Sequence, residues 1–162
     1  MTLLLTESEP MIHDDTALWG LPDPHSQSEF YENTPAKRLI AFVIDLVIVV
    51  VLSALIVPLT AFTGIFYFPF LVAIVGFAYR VVTLARSSAT VGMRMMGIEF
   101  RTSKGEHFDL GMAFLHTAMY TVWSTTGLPQ IISVILMLTT ARKQGLSDLI
   151  LGSAAINRPS QF

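Results

Sequence analysis

Lys37 and Arg38 open a run that carries one acid, Asp45, and then no further charge until Arg80. An apolar run of this length reads as membrane-spanning helix, because about 20 residues at about 1.5 Å rise cover a hydrocarbon core of about 30 Å. Asp45 is the anomaly within it. It lies roughly 9 Å past Leu39 along a helix, and unpaired at the membrane centre it would cost about 2.5–3.5 kcal/mol. It therefore needs a partner, water or a proton. Arg38 and Asp45 are close to two full turns apart and share one helix face, so that face must turn inward.

Composition agrees with a membrane setting. The 162 residues are 52% hydrophobic and 14% charged, with a mean hydropathy of +0.60, too apolar for an ordinary soluble domain. The net charge of −2 hides an asymmetry: Glu7, Glu9, Asp14, Asp15, Asp23, Glu29 and Glu32 all precede Lys37, the first basic residue. With no cysteine, disulfides, thiolate chemistry and cysteine-held metals are excluded. Met1 to Thr6 is too short and lacks the basic flank of a secretory signal, so the first span is expected to serve as an uncleaved targeting segment.

Residues 1–34 are acidic and proline-bearing without periodicity, which predicts a mostly disordered cytoplasmic arm. Its aromatic punctuation, Trp19 to Pro24 and Phe30-Tyr31, fits either packing on the interface or the protein's own surface, or docking of a partner protein. Thr34 as N-cap and Pro35 at the first helical position mark a helix start. The membrane domain, residues 35–157, is then expected to hold segments at about 36–61, 66–85, 110–126 and 129–141, with a tail at 158–162. Pro58 should kink the first. The uncharged link around Thr60 to Ile65, with Gly64, makes the first two a tight helical hairpin.

Arg80 is the only charge inside the second segment, at nearly the depth of Asp45. It either reaches the headgroups or leaves Asp45 to a buried pair with Arg80 or Arg38, the pair being favoured because a lone carboxylate fares worse at that depth. Between spans, Met95 to Arg101 alternates partly at period two. Thr102 to Gly105 reads as a turn and Glu106 to Phe108 as a return strand, a small β-hairpin on the cytoplasmic membrane surface. Gly92 and Gly97 fit turns or close backbone approach rather than phosphate binding.

Leu110 to Ala141 would be about 48 Å as one helix, and Gly127-Leu128-Pro129 breaks it. Its two legs, ~26 and ~20 Å, are tilted spans or a re-entrant pair, and both options return the chain to its starting side. With four segments all 10 lysines and arginines lie on or reach toward one side, which the positive-inside rule makes cytoplasmic for both termini. A turn, a short helical piece and a strand follow, with Asp148 capping or in a surface ion pair. The expected fold is thus an all-α membrane protein: a helical hairpin, two shorter membrane segments and a small β-hairpin.

Three blocks together resemble the RDD family of bacterial membrane proteins, over about Ala36 to Asn157. They are Arg38 with Asp45 in the opening helix, Thr90-Val91-Gly92-Met93-Arg94-Met95-Met96-Gly97-Ile98-Glu99, and Gln144-Gly145-Leu146-Ser147-Asp148-Leu149-Ile150-Leu151-Gly152-Ser153. Met93 stands where the family usually has lysine, Ser147 where it has histidine, and His116 near where arginine often opens the third helix. The resemblance carries Arg38, Asp45 and Asp148 over as polar-cluster residues, and implies a bacterial inner-membrane location.

Two functions follow. One is a structural or accessory membrane protein, its Arg38, Asp45, Arg80 and Asp148 cluster clamping the fold and its acidic arm binding a partner protein. The other, implied because some family members look like antiporters, is monovalent cation/proton exchange with Asp45 as the coupling carboxylate. A single membrane carboxylate and no inverted repeat make a thin transporter unless the chain forms a homo-oligomer. His13, His25, His107 and His116 lack metal-ligand spacing and no nucleophile motif occurs, so no enzyme, cofactor, metal or nucleic-acid partner is expected.

Overall fold

The computed structural model describes residues 20–158. The chain is mostly helical, with one two-stranded sheet. Helix α1 (Thr34–Ile56) and helix α2 (Phe68–Ser87) are long and apolar enough to cross a membrane. Helix α1 starts one residue earlier than Thr34 as N-cap requires, because Asn33 takes a left-handed conformation and holds the cap position.

Ala41, Asp45, Val49 and Ser53 form the buried stripe of α1, one residue every fourth position, while Leu39, Val43, Val47, Val51 and Leu55 are exposed opposite them. Side chains four apart share one face, so α1 turns small and polar groups to its neighbours and branched aliphatics outward. Near the middle of α2, a Cβ added at Gly76 would already stand 3.4 Å from Val49. This is the small-residue approach that helices use in lipid, where apolar burial alone does not drive association. At Pro58 the α-helix gives way to a 3-10 turn, and Ala61 and Phe62, both left-handed, reverse the chain into α2.

Past α2, Thr90 caps the short helix α3 (Val91–Met95) by accepting the Met93 N–H at 3.2 Å. Gly97, at φ +68°, then turns the chain into strand β1 (Ile98–Thr102). The expected β-hairpin is not formed. Strand β1 pairs antiparallel with β2 (Ser153–Asn157), in register from Ile98 opposite Asn157 to Thr102 opposite Ser153. The Thr102 to Gly105 turn exists, but Glu106 to Phe108 is not a strand. The all-α expectation is corrected to mostly helical, with a sheet that joins distant parts of the chain.

Helix α4 (Leu110–Thr126) is capped by Asp109, whose carboxylate accepts the Met112 N–H at 2.7 Å. It ends at Gly127, where the chain bends by 115° into helix α5 (Leu128–Thr139). Helix α6 (Leu146–Leu151) leads to β2.

The apolar core of Leu84, Ala89, Met93, Ile98, Phe100, Phe108, Ala113 and Ala155 gathers at one end of the molecule. That end unites the start of α1, the end of α2, the sheet and the start of α4. Lys37 at the start of α1 reaches Asn157 at the end of β2, 2.7 Å from Nζ to Oδ1. Disorder does not describe residues 20–33: Leu21 and Tyr31 are buried against Ala154 and Ile156. The Asn157 amide donates to the carbonyls of Glu29 and Glu32 at 2.7 and 3.0 Å. Residues 1–19, including Trp19 and most of the acidic arm, and 159–162 of the tail lie outside the described residues.

Candidate functional site

Asp45 is placed in the buried stripe of α1, and its two oxygens accept three hydrogen bonds. The Tyr79 hydroxyl of α2 donates at 2.6 Å and the Gly92 N–H of α3 at 2.8 Å, both to Oδ1, and the Thr90 hydroxyl donates to Oδ2 at 2.5 Å. The donors are themselves tied down. Tyr79 accepts the Val91 N–H at 3.1 Å, and Thr90 is the N-cap of α3. Gly92 reaches the carboxylate because it has no side chain: a Cβ there would stand 2.3 Å from the Ala41 carbonyl oxygen. The carboxylate also faces the first turn of α3, where N–H groups without partners inside the helix favour negative charge; Gly92 gives its N–H to Asp45, and Val91 and Met93 give theirs to Tyr79 and Thr90.

The expected pair of Asp45 with Arg80 or Arg38 is therefore overturned. Neutral donors and backbone satisfy Asp45, and both arginines are engaged elsewhere. Arg38 donates from Nη1 to Asp148 Oδ2 at 2.5 Å, and its guanidinium lies 5.0 Å from the Phe100 ring centre. Arg80 lies over the Tyr120 ring at 4.0 Å, with its Nε buried and without a hydrogen-bond partner.

Asp148 is at the third position of α6 and accepts the Gly145 N–H at 2.9 Å, the N-terminal half of a capping arrangement. It caps and forms an ion pair, but at 0% exposure it is no surface residue. Its Oδ1 takes a third partner, His116 Nε2, at 2.7 Å. Burial pushes the Asp148 carboxyl up, but the Arg38 charge and the His116 contact outweigh it and hold the group well below the usual carboxylate range. An ionised carboxylate only accepts, so His116 carries its proton on Nε2 toward Asp148.

The four residues singled out in the sequence thus separate into a closed Asp45 node, an Arg38–Asp148 pair and a solitary Arg80. All four line one cavity of about 800 Å³ between α1, α2, α4, α5 and α6. Tyr79, Thr90 and His116 were not identified as partners from sequence. Thr90 and Gly92 sit in the block that carries the family resemblance, and His116 stands out only as a departure from it. Among the described residues no three His, Asp or Glu side chains converge as metal ligands.

The chain matches no curated protein and no solved structure. A family model described as the RDD family matches residues 33–152, which takes in Arg38, Asp45, the Thr90–Gly92 donors and Asp148. With most of its length matched and the nodes of its polar cluster inside the match, the chain belongs to the RDD family.

Proposed function

We propose that this chain is a structural or accessory multi-pass protein of a bacterial inner membrane, with both termini cytoplasmic, whose buried polar residues clamp the fold and whose acidic arm meets a partner protein. The closure of Asp45 carries this reading. A coupling carboxylate must offer oxygen to a cation and take up a proton in turn, whereas most of the acceptor capacity of Asp45 is already taken by Tyr79, Thr90 and Gly92. Such a group holds α1, α2 and α3 together.

The clasped end supports the proposed orientation. Because β2 pairs with β1 and touches the start of α1, the chain after α5 lies on the side where α1 began. The concentration of lysine and arginine there favours the cytoplasm. The arm before residue 20 carries Glu7, Glu9, Asp14 and Asp15, which suits a basic partner surface.

The test is cation-driven collapse of a proton gradient in liposomes holding the purified protein. No sodium- or potassium-dependent collapse is expected. Asp45→Asn should lower stability by about 1–3 kcal/mol, because its amide oxygen can still accept from Tyr79 and Gly92 but the NH2 that replaces Oδ2 cannot accept from the Thr90 hydroxyl. Collapse that Asp45→Asn abolishes in a folded protein would replace this reading with antiport.

A further inference from the structure

The cavity runs from Pro35 and Ala36, in the first turn of α1, to Trp123, Ser124 and Gln130 beside the bend between α4 and α5. Its charges balance: Asp45 and Asp148 stand in the lining with Arg38 and Arg80, and both acids act on Arg80 through their charge. Its hydrogen bonds do not. Each acid bonds other donors, and among the described residues the Arg80 guanidinium donates to none, lying over the Tyr120 ring instead. The Tyr120 hydroxyl, the Ser124 hydroxyl and the Gln130 amide, all in the lining, likewise bond no other described residue.

These groups sit deep. Arg80 is seven residues before the end of α2, about 10 Å inward from it, and helical side chains lean toward the N-terminus, here away from the clasped end. Ser124 is about 21 Å along α4 from Leu110. Unbonded polar groups at membrane depth are tolerated where they line a water-filled space. A held water needs roughly 2–4 polar partners and a share of about 30 Å³, and the cavity of about 800 Å³ offers both. The helices beside it are short. With 17 and 12 residues, α4 and α5 are about 26 and 18 Å long, each less than a hydrocarbon core of about 30 Å, and a 115° bend prevents both from standing upright.

We propose that this cavity is an aqueous vestibule, in which water enters from the clasped end, bonds Arg80, Tyr120, Ser124 and Gln130, and stops at the bend of a re-entrant α4–α5 pair that does not cross the bilayer. Leu39 of α1 and Leu138 of α5, in the lining and 65% and 61% exposed, form its apolar wall toward lipid. Water supplies the hydrogen bonds that the balanced charges leave unmade, and needs no counter-ion to do so. Small polar solutes from the clasped side thereby come within reach of Arg80 while the Asp45 node stays closed. The vestibule is independent of whether the chain moves ions.

The experiment uses the absence of cysteine from the chain. Single cysteines in the full-length protein are exposed to a membrane-impermeant, positively charged methanethiosulfonate, in inverted membrane vesicles and separately in spheroplasts. Val122 is the control for depth: it lies two residues from Ser124 on α4, is 51% exposed and is not in the lining. Ser124→Cys should react about tenfold or more faster than Val122→Cys, because the thiolate is the reactive form and a thiol needs water to release its proton. It should react from whichever side labels Lys104→Cys, an exposed position of the clasped end, so the result does not depend on which side is cytoplasmic. Should Ser124→Cys fail to fold, Gln130→Cys replaces it with the same expectation. Equal rates at the lining position and at Val122→Cys would show a dry cavity and overturn the proposal. So would labelling only from the side opposite Lys104→Cys, the result expected of two full spans.

Discussion

Asp45 and Asp148 are both buried carboxylates, each with three hydrogen-bonded partners, and they are held by opposite means. Asp45 draws on a tyrosine, a threonine and a backbone N–H, whereas Asp148 draws on an arginine, a histidine and a backbone N–H. Neutral donors need close geometry but leave no second charge to compensate. An ion pair reaches across the fold, from α1 to α6, but leaves a buried charge behind when either member is lost. The Asp45 node should thus be sensitive to shape and the Asp148 node to charge.

The largest effect should come from breaking the ion pair. Arg38→Met strands the Asp148 carboxylate and should cost about 3–5 kcal/mol, read by denaturant titration in detergent, while adding Asp148→Leu should recover most of it. Little rescue by the second change would show that Arg38 matters through Phe100 instead.

Acid should distinguish the two nodes next. The folded Asp148 carboxyl is held below its unfolded range. Its contribution is therefore whole above the ordinary carboxylate value of about 4 and is lost as pH falls through the depressed folded value. Melting temperature followed downward from about pH 5 should drop in the wild type, and Asp148→Asn should flatten that drop.

Shape should rule at the other node. Gly92→Ala puts a Cβ against the Ala41 carbonyl, pushing α3 from α1 at a cost of about 1–3 kcal/mol, visible as a lower melting temperature at neutral pH. The smallest effect belongs to Tyr79→Phe, which removes one of three donors to Asp45 and leaves the Val91 N–H without its acceptor. About 0.5–1.5 kcal/mol is expected, and a larger loss would mean that Tyr79 organises the node.

What the sequence made legible was local. The break at Gly127 and the bounds of α4 follow from apolar length and glycine–proline punctuation, and the start of β1 follows from alternation. Strand β2 was expected, but its partner was not: a turn at Thr102 to Gly105 suggests a hairpin, and the tertiary fold overrides it in favour of β2. Asp45 shows the same limit. Depth along two helices brought Arg80 level with it, but depth carries no information about rotation around the helix axis, which points Arg80 at Tyr120. Of the true donors, Tyr79 is the neighbour of Arg80 on α2, and Thr90 and Gly92 come from beyond the end of that helix, where no helix periodicity reaches.

The pairing of β1 with β2 sets an order of events during synthesis. Every partner of Asp45 has been synthesised once residue 92 is made, so the hairpin can close around its acid soon after this stretch emerges, while translation continues. Arg38 waits for a partner 110 residues downstream, and β1 waits with it. Until α6 and β2 emerge, the half-made protein presents an arginine without its carboxylate partner and a bare strand edge, an interval in which an insertion factor or a neighbouring nascent chain has its clearest opening to engage it.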